Sequence, residues 1–205
     1  SNSYNTGAVT GSGDNVGGLV GYHYGSISNS YSIGAVTGTD YVGGLVGNSY
    51  SGTISYSYST GLVSGTMTNV GGLVGGEHYE GTISNSYWDK TINSLPSLDN
   101  SLGTGIATSV FMDPSQLSGL GFIESPPSTG IYSSAVWWMI PGETRPFLRS
   151  EYSTNITNAH QLQLMALDLG ASYSLANNID MSELTQASGL WKKWDIATPD
   201  TGFVP

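Results

Sequence analysis

The chain has 205 residues, with 15 acidic against 5 basic side chains, a formal net charge of −10 and no cysteine. Charged residues make up 10% of it, well below the usual quarter, and Gly, Ser, Thr, Asn and Tyr fill the deficit. That balance excludes the basic footprint of a nucleic-acid binder and the Lys/Arg clusters that hold proteins to anionic lipid. The missing cysteines exclude disulfides and thiolate metal sites within this chain. No run approaches the roughly 18 apolar residues of a membrane span. The chain opens at Ser1-Asn2-Ser3-Tyr4, without Met and already inside a repeat, which reads as a segment of a longer protein.

Val16–Gly21 reads VGGLVG and returns unchanged as Val42–Gly47 and Val70–Gly75. Aligned outward from it, unit one runs Asn2–Ser28, unit two Asn29–Ser55 and unit three Tyr56–Ser84, and a fourth begins at Asn85. Tyr4, Tyr31, Tyr58 and Tyr87 are spaced 27, 27 and 29 residues apart; Gly7/Gly34/Gly61, Val9/Val36/Val63 and Ile27/Ile54/Ile83 recur with them. Near-alternation of apolar and small polar residues predicts three short strands per unit, around Ala8–Thr10, Val16–Val20 and Ser26–Tyr31. Length varies before the glycine string (Gly11–Asn15 against Gly38–Tyr41) and after it (Tyr22–Gly25, Asn48–Gly52, Gly76–Gly81), so these stretches read as loops. One such unit cannot bury its own apolar side, whereas stacked units can, and a fixed period of this size signals a solenoid. Parallel stacking places the Ile and Tyr columns inside as ladders. A meander of hairpins is the alternative, but it does not require identical residues at a fixed period. The first 89 residues contain no Lys or Arg, and their acids are Asp14, Asp40, Glu77, Glu80 and Asp89. Nearly uncharged rungs avoid like-charge repulsion in register.

The pattern NSYSxGxVxG…VGGLVG…GxIxxS over residues 2–89 resembles the GLUG repeat of large bacterial surface proteins, including filamentous-haemagglutinin-like adhesins. The resemblance implies an all-β fold, a right-handed parallel β-helix of about three to four rungs, in a secreted or cell-surface protein. It implies no active site.

Residues 90–150 are a loop-rich, Trp-containing closing region, with Ser94-Leu-Pro-Ser97, Ser125-Pro-Pro-Ser128 and Pro141-Gly142. Asp113 is placed to cap a short helix with Pro114 at its first position, and Val136–Ile140 is the most strand-like run. Trp88, Trp137, Trp138, Phe147 and Leu148 supply the bulk that a solenoid end needs for cover. Over residues 151–205, Thr157 is expected to cap a helix across Asn158–Leu169 closed by Gly170, followed by a strand within Tyr173–Asp180. This helix-plus-strand segment is similar to the one that leads into a repeat block in haemagglutinin-like proteins. Here the chain stops at Gly202–Pro205, where such a block would begin, and a fold-back onto the helix is equally open.

The candidate contact residues are Tyr22, His23, Tyr24, Tyr50, Glu77, His78 and Tyr79, all in the stretches read as loops after the glycine string. Aromatics on a low-charge polar surface suit contact with carbohydrate or protein. Glu77, His78 and Glu80 could hold a metal or act as acid and base, but a solvated loop explains them as well. Gly11–Gly18 faintly resembles glycine-rich calcium repeats; loop-bound calcium is an open alternative to turn chemistry at Asp14 and Asp40. No other cofactor is expected. Parallel β-helix sugar lyases pair carboxylates with a basic residue, and glycosidases face two carboxylates across a groove; the repeats offer neither. His160 reads as a surface or packing residue, and Asn155-Ile156-Thr157 is the one N-x-[ST] sequon. The expected role is that of an adhesin segment, a stalk presenting loops to a glycan or protein on a host or neighbouring cell, with lateral or end-to-end self-association open. A purely structural spacer and a carbohydrate-active enzyme are the alternatives.

Overall fold

The computed structural model describes residues 1–76, 79–94, 96–100, 102–121, 123–124 and 134–191. Glu77, His78, Ser125–Ser128 and Gly202–Pro205, singled out above, lie outside the described residues. The chain divides into two compact units, Ser1–Val110 and a second from Phe111 onward.

The first unit is a parallel β-solenoid of about three turns. Each full turn has four straight segments. In the first they are β1 (Tyr4–Asn5), β2 (Val9–Thr10), β3 (Val16–Gly17) and β4 (Val20–Ser28); in the second, β5 (Tyr31–Ser32), β6 (Val36–Gly38), β7 (Val42–Gly43) and β8 (Val46–Ser55). The third holds β9 (Tyr58–Ser59), β10 (Val63–Gly65), β11 (Val70–Gly71) and a fourth side in two pieces, β12 (Val74–Gly76) and β13 (Glu80–Ser84). Equivalent residues pair in register: Tyr4 with Tyr31 and Tyr31 with Tyr58, Val9 with Val36 and Val36 with Val63, Ile27 with Ile54 and Ile54 with Ile83. The predicted ladders are therefore internal. Val36, Val42, Leu45, Val46 and Ile54 of the middle turn are fully enclosed. Tyr4, Tyr31 and Tyr58 stack with ring centroids 5.4 and 5.1 Å apart.

The turn is divided differently from the three-strand expectation. VGGLVG is a corner rather than one strand: Val42–Gly43 ends one side, Gly44–Leu45 turns, and Val46 starts the next. Leu45 N and Val46 N both donate to Leu73 O, at 2.9 and 3.1 Å, as Leu19 N and Val20 N do to Leu45 O. A Cβ on Gly43 would overlap Val46 O, and one on Gly44 would overlap Gly72 O of the next turn, so neither position admits a side chain. The stretches Tyr22–Gly25 and Asn48–Gly52 are not loops but lie inside β4 and β8. The extra residue of unit two is absorbed by a register shift, with His23 opposite Ser49 and Tyr24 opposite Ser51. Ser26–Tyr31 is not continuous either, because Asn29 takes φ 47° and separates β4 from β5.

The last turn is abbreviated. β14 (Tyr87–Asp89) pairs with β9, and β15 (Thr104–Ile106) adds a fifth strand to that side alone. The intervening residues close the third turn. Buried Asn93 accepts from Val63 N and donates to Gly61 O, both at 2.9 Å; Asn100 Nδ2 donates to Val74 O and Gly75 O; Leu98 O accepts from Gly72 N. Asp89, fully buried, accepts from Thr91 N, Ile92 N and the Thr108 hydroxyl. Trp88 packs against Gly72 and Gly105, where any Cβ would strike its ring.

The second unit has its own core. The helical turn α1 (Thr108–Phe111) precedes it along the chain, and Asp113 caps a 3-10 turn at Pro114–Gln116 as expected. β16 (Ile123–Glu124) runs parallel to β17 (Trp137–Trp138), which pairs antiparallel with β18 (Phe147–Leu148). Trp137, Trp138, Phe147 and Trp191 are buried together with Arg145, which lies over Phe111 and donates to the carbonyls of Ala187 and Gly189. Those tryptophans thus build a separate core, and residues on both sides of position 150 share it: Phe147 meets His160 and Trp191 at 5.4 Å. β19 (Asn155–Ile156) pairs with β20 (Ser174–Leu175), the strand expected within Tyr173–Asp180. The helix α2 covers Ala159–Leu164 and continues as a 3-10 turn to Leu167; its cap is Asn158, which accepts from Gln161 N, and Thr157 instead bonds the Gln161 side chain. The helix is shorter than the apolar spacing predicts.

Candidate functional site

Tyr22, Tyr24, Tyr50 and Tyr79 lie on the outer face of the fourth side, on β4, on β8 and immediately before β13. Alternation along these strands sends Ile27, Ile54 and Ile83 inward and their neighbours outward. The first outward column is Tyr24, Tyr50 and Tyr79. Tyr24 and Tyr50 stack at 5.3 Å and 8°, and Tyr50 and Tyr79 meet at 5.5 Å and 56°. Their relative exposures are 69%, 39% and 67%, with Tyr22 on the same strand at 52%. The inward Tyr31 and Tyr58 are fully enclosed. Tyr79 N donates to Tyr50 O, which ties the third ring to the ladder.

A second outward column, Ser26, Thr53 and Thr82, pairs in register, two positions beyond Tyr24 and three beyond Tyr50 and Tyr79 because of the register shift in between. Thr53 Oγ1 donates to Ser26 Oγ at 3.2 Å. The sequence carried its signal: a hydroxyl residue precedes each column Ile, and a residue next to an inward Ile must point outward. Among the described residues of these strands, Glu80 is the one with a formal charge at neutral His.

His23 is a correction. It points into the turn, buried, with Nδ1 3.1 Å from Ser49 Oγ, because it alternates with outward Tyr22 and Tyr24. It is an interior polar pair rather than a contact residue. Glu77 and His78 lie outside the described residues. Asp40 bonds Asn69 one turn on, accepting from its backbone N and from Nδ2. Among the described residues no group of three or more His, Cys, Asp or Glu side chains is arranged to hold a metal ion.

The family model of the GLUG motif matches residues 12–37, from the first corner string into the second turn. No curated protein and no solved structure matches the chain. A GLUG motif on a parallel β-solenoid fits a repeat segment of a surface protein, and no described helix is long and apolar enough to cross a membrane.

Proposed function

We propose that this chain is a segment of a large secreted or cell-surface bacterial adhesin of the filamentous-haemagglutinin-like kind, serving as a stalk that presents one face for adhesion. The observation that carries the reading is the exposed ladder Tyr24–Tyr50–Tyr79 on rungs almost free of charge. A column of tyrosines in water invites a partner, since amphipathic rings supply contact area at little entropic cost. A purely structural spacer is the second reading, supported by the closure of the third turn through Asn93, Leu98 and Asn100. An enzyme has weaker support: Asp40 and Asp89 are engaged in bonds that hold the turns together.

A glycan array probed with the wild type and with Tyr22→Ala, Tyr24→Ala and Tyr79→Ala separates adhesin from spacer. Binding lost in the variants supports adhesion. No glycan bound by any sample, together with no capture on host or neighbour cells, leaves the spacer.

A further inference from the structure

We infer that the Tyr24–Tyr50–Tyr79 ladder and the Ser26–Thr53–Thr82 row form a track for a linear, uncharged glycan lying along the solenoid axis, one sugar ring per turn. This rests on the adhesive reading above and specifies its ligand. Burial is the first support. A tyrosine column needed only for packing sits inside, as Tyr31 and Tyr58 do, whereas this one stands in water. Spacing is the second. The ring centroids lie 5.3 and 5.5 Å apart, and the rings of an extended chain of equatorially linked pyranoses follow one another at a closely similar separation. A glycan in this direction meets the same pair of groups at each step.

Chemistry is the third support. Each turn presents one phenol and one aliphatic hydroxyl, and both donate and accept hydrogen bonds. Tyr24 and Tyr50 cover each other's faces and so offer edges and hydroxyls, while Tyr79, tilted by 56°, exposes part of its face. The face complements a neutral polyol in charge, because Glu80 is its one formal charge among the described residues. The chain's net charge of −10 repels an anionic polysaccharide. Strand pairing already holds both columns in place, so binding costs little ordering.

The test is calorimetric titration of the whole chain with neutral cello-, manno- and chito-oligosaccharides from dimer to hexamer. Affinity is expected to rise with length to the trimer, about tenfold per ring, and then level off at the ladder's end. Tyr50→Ala removes the middle rung and lowers trimer affinity by about tenfold or more. Tyr50→Phe keeps the stack and loses only the hydroxyl, giving a smaller loss that guards against misfolding of the alanine variant. Tyr56→Ala, off this face, leaves binding unchanged. Affinity that ignores chain length, or that survives Tyr50→Ala, overturns the track while leaving adhesion intact. Binding to no glycan, but to a protein on cells, likewise overturns the track alone; binding to neither overturns the adhesive reading beneath it.

Discussion

Ser57 shows how one repeated residue holds two turns. Its hydroxyl accepts from Ser30 N at 3.2 Å and donates to Ser55 O at 2.8 Å; Ser30 and Ser86 do the same one turn before and after. The column is buried, so Ser57→Ala leaves the Ser30 N–H without an acceptor or water. The expected cost is about 1–3 kcal/mol, read as a lower denaturation midpoint with an unchanged slope. An unaltered midpoint would show that the N–H finds another partner. The residue before each of these serines takes positive φ, 47° at Asn29, 50° at Tyr56 and 48° at Asn85, as does Asn2 before Ser3 at 52°. Asn tolerates this region because its short side chain bonds locally, whereas Tyr does not. Tyr56 is 40% exposed and loses little packing on replacement. Tyr56→Asn should therefore stabilise the solenoid by about 1 kcal/mol, and a lower melting temperature would contradict that account.

Among the elements of the second unit, α2 is clamped by charge. His160 is buried, with Nδ1 2.6 Å from Glu151 Oε2 and Nε2 2.8 Å from Glu183 Oε2, so two segments meet on one ring. The second oxygens of the glutamates accept from Leu148 N and Leu190 N. Burial opposes the charge, but the hydrogen bonds and charges of Glu151 and Glu183 outweigh it and raise the imidazole from 6.5 to about 9. A folded-state pKa above the unfolded one gives stability that is complete below pH 6.5 and is lost as pH rises through 9. Its size is on the order of 3 kcal/mol. Tryptophan-monitored unfolding should weaken between pH 6.5 and 9, and His160→Gln should flatten that limb; equal slopes in both proteins would contradict the clamp. Nothing in the sequence announced it, since Glu151, His160 and Glu183 share no spacing motif. The columns of the first unit were legible because residues identical at a fixed period must meet identical neighbours. The corners were not: Gly43 and Gly44 carry no side chain to reveal direction, so the string read as a strand. Tyr22–Gly25 and Asn48–Gly52 read as loops because their lengths differ by a residue, which a bulge at Tyr50 absorbs while the register resumes on either side. The exposure of Tyr22, Tyr24, Tyr50 and Tyr79 is legible from their absence from the inner column, whereas the burial of His23 is not, because the length variation hides the strand it lies on. The abbreviated turn occurs once, so no repeat could mark Thr104–Ile106 as the partner of Tyr87–Asp89.

At the scale of the whole molecule, the first unit is a stack in which each turn pairs its strands with those of its neighbours, so its stability is close to a sum over turns and interfaces. Excision of residues 29–55 removes one complete turn and joins Ser28 to Tyr56, the junction that Ser55 now makes. Tyr4 then falls beside Tyr58, Val20 beside Val74 and Ile27 beside Ile83, the same column residues that pair in the intact chain. The closing bonds of Asn93 and Asn100 lie on the third turn and survive the excision. The shortened chain should keep its β-sheet spectrum, with a lower melting temperature and a smaller denaturant slope, because the slope follows the surface exposed on unfolding. In a fold without translational repetition, loss of a central segment of this size removes the core, so collapse of the β-sheet signal would show that the turns are not interchangeable. With Ile27 beside Ile83, Tyr24 falls opposite Glu80 and one residue from Tyr79, the same offset by which it faces Ser51 and stacks on Tyr50 in the intact chain, so a two-ring ladder remains. If the track reads one sugar per turn, the length at which glycan affinity levels off should fall from the trimer to the dimer in the same protein, which ties the repeat architecture directly to recognition.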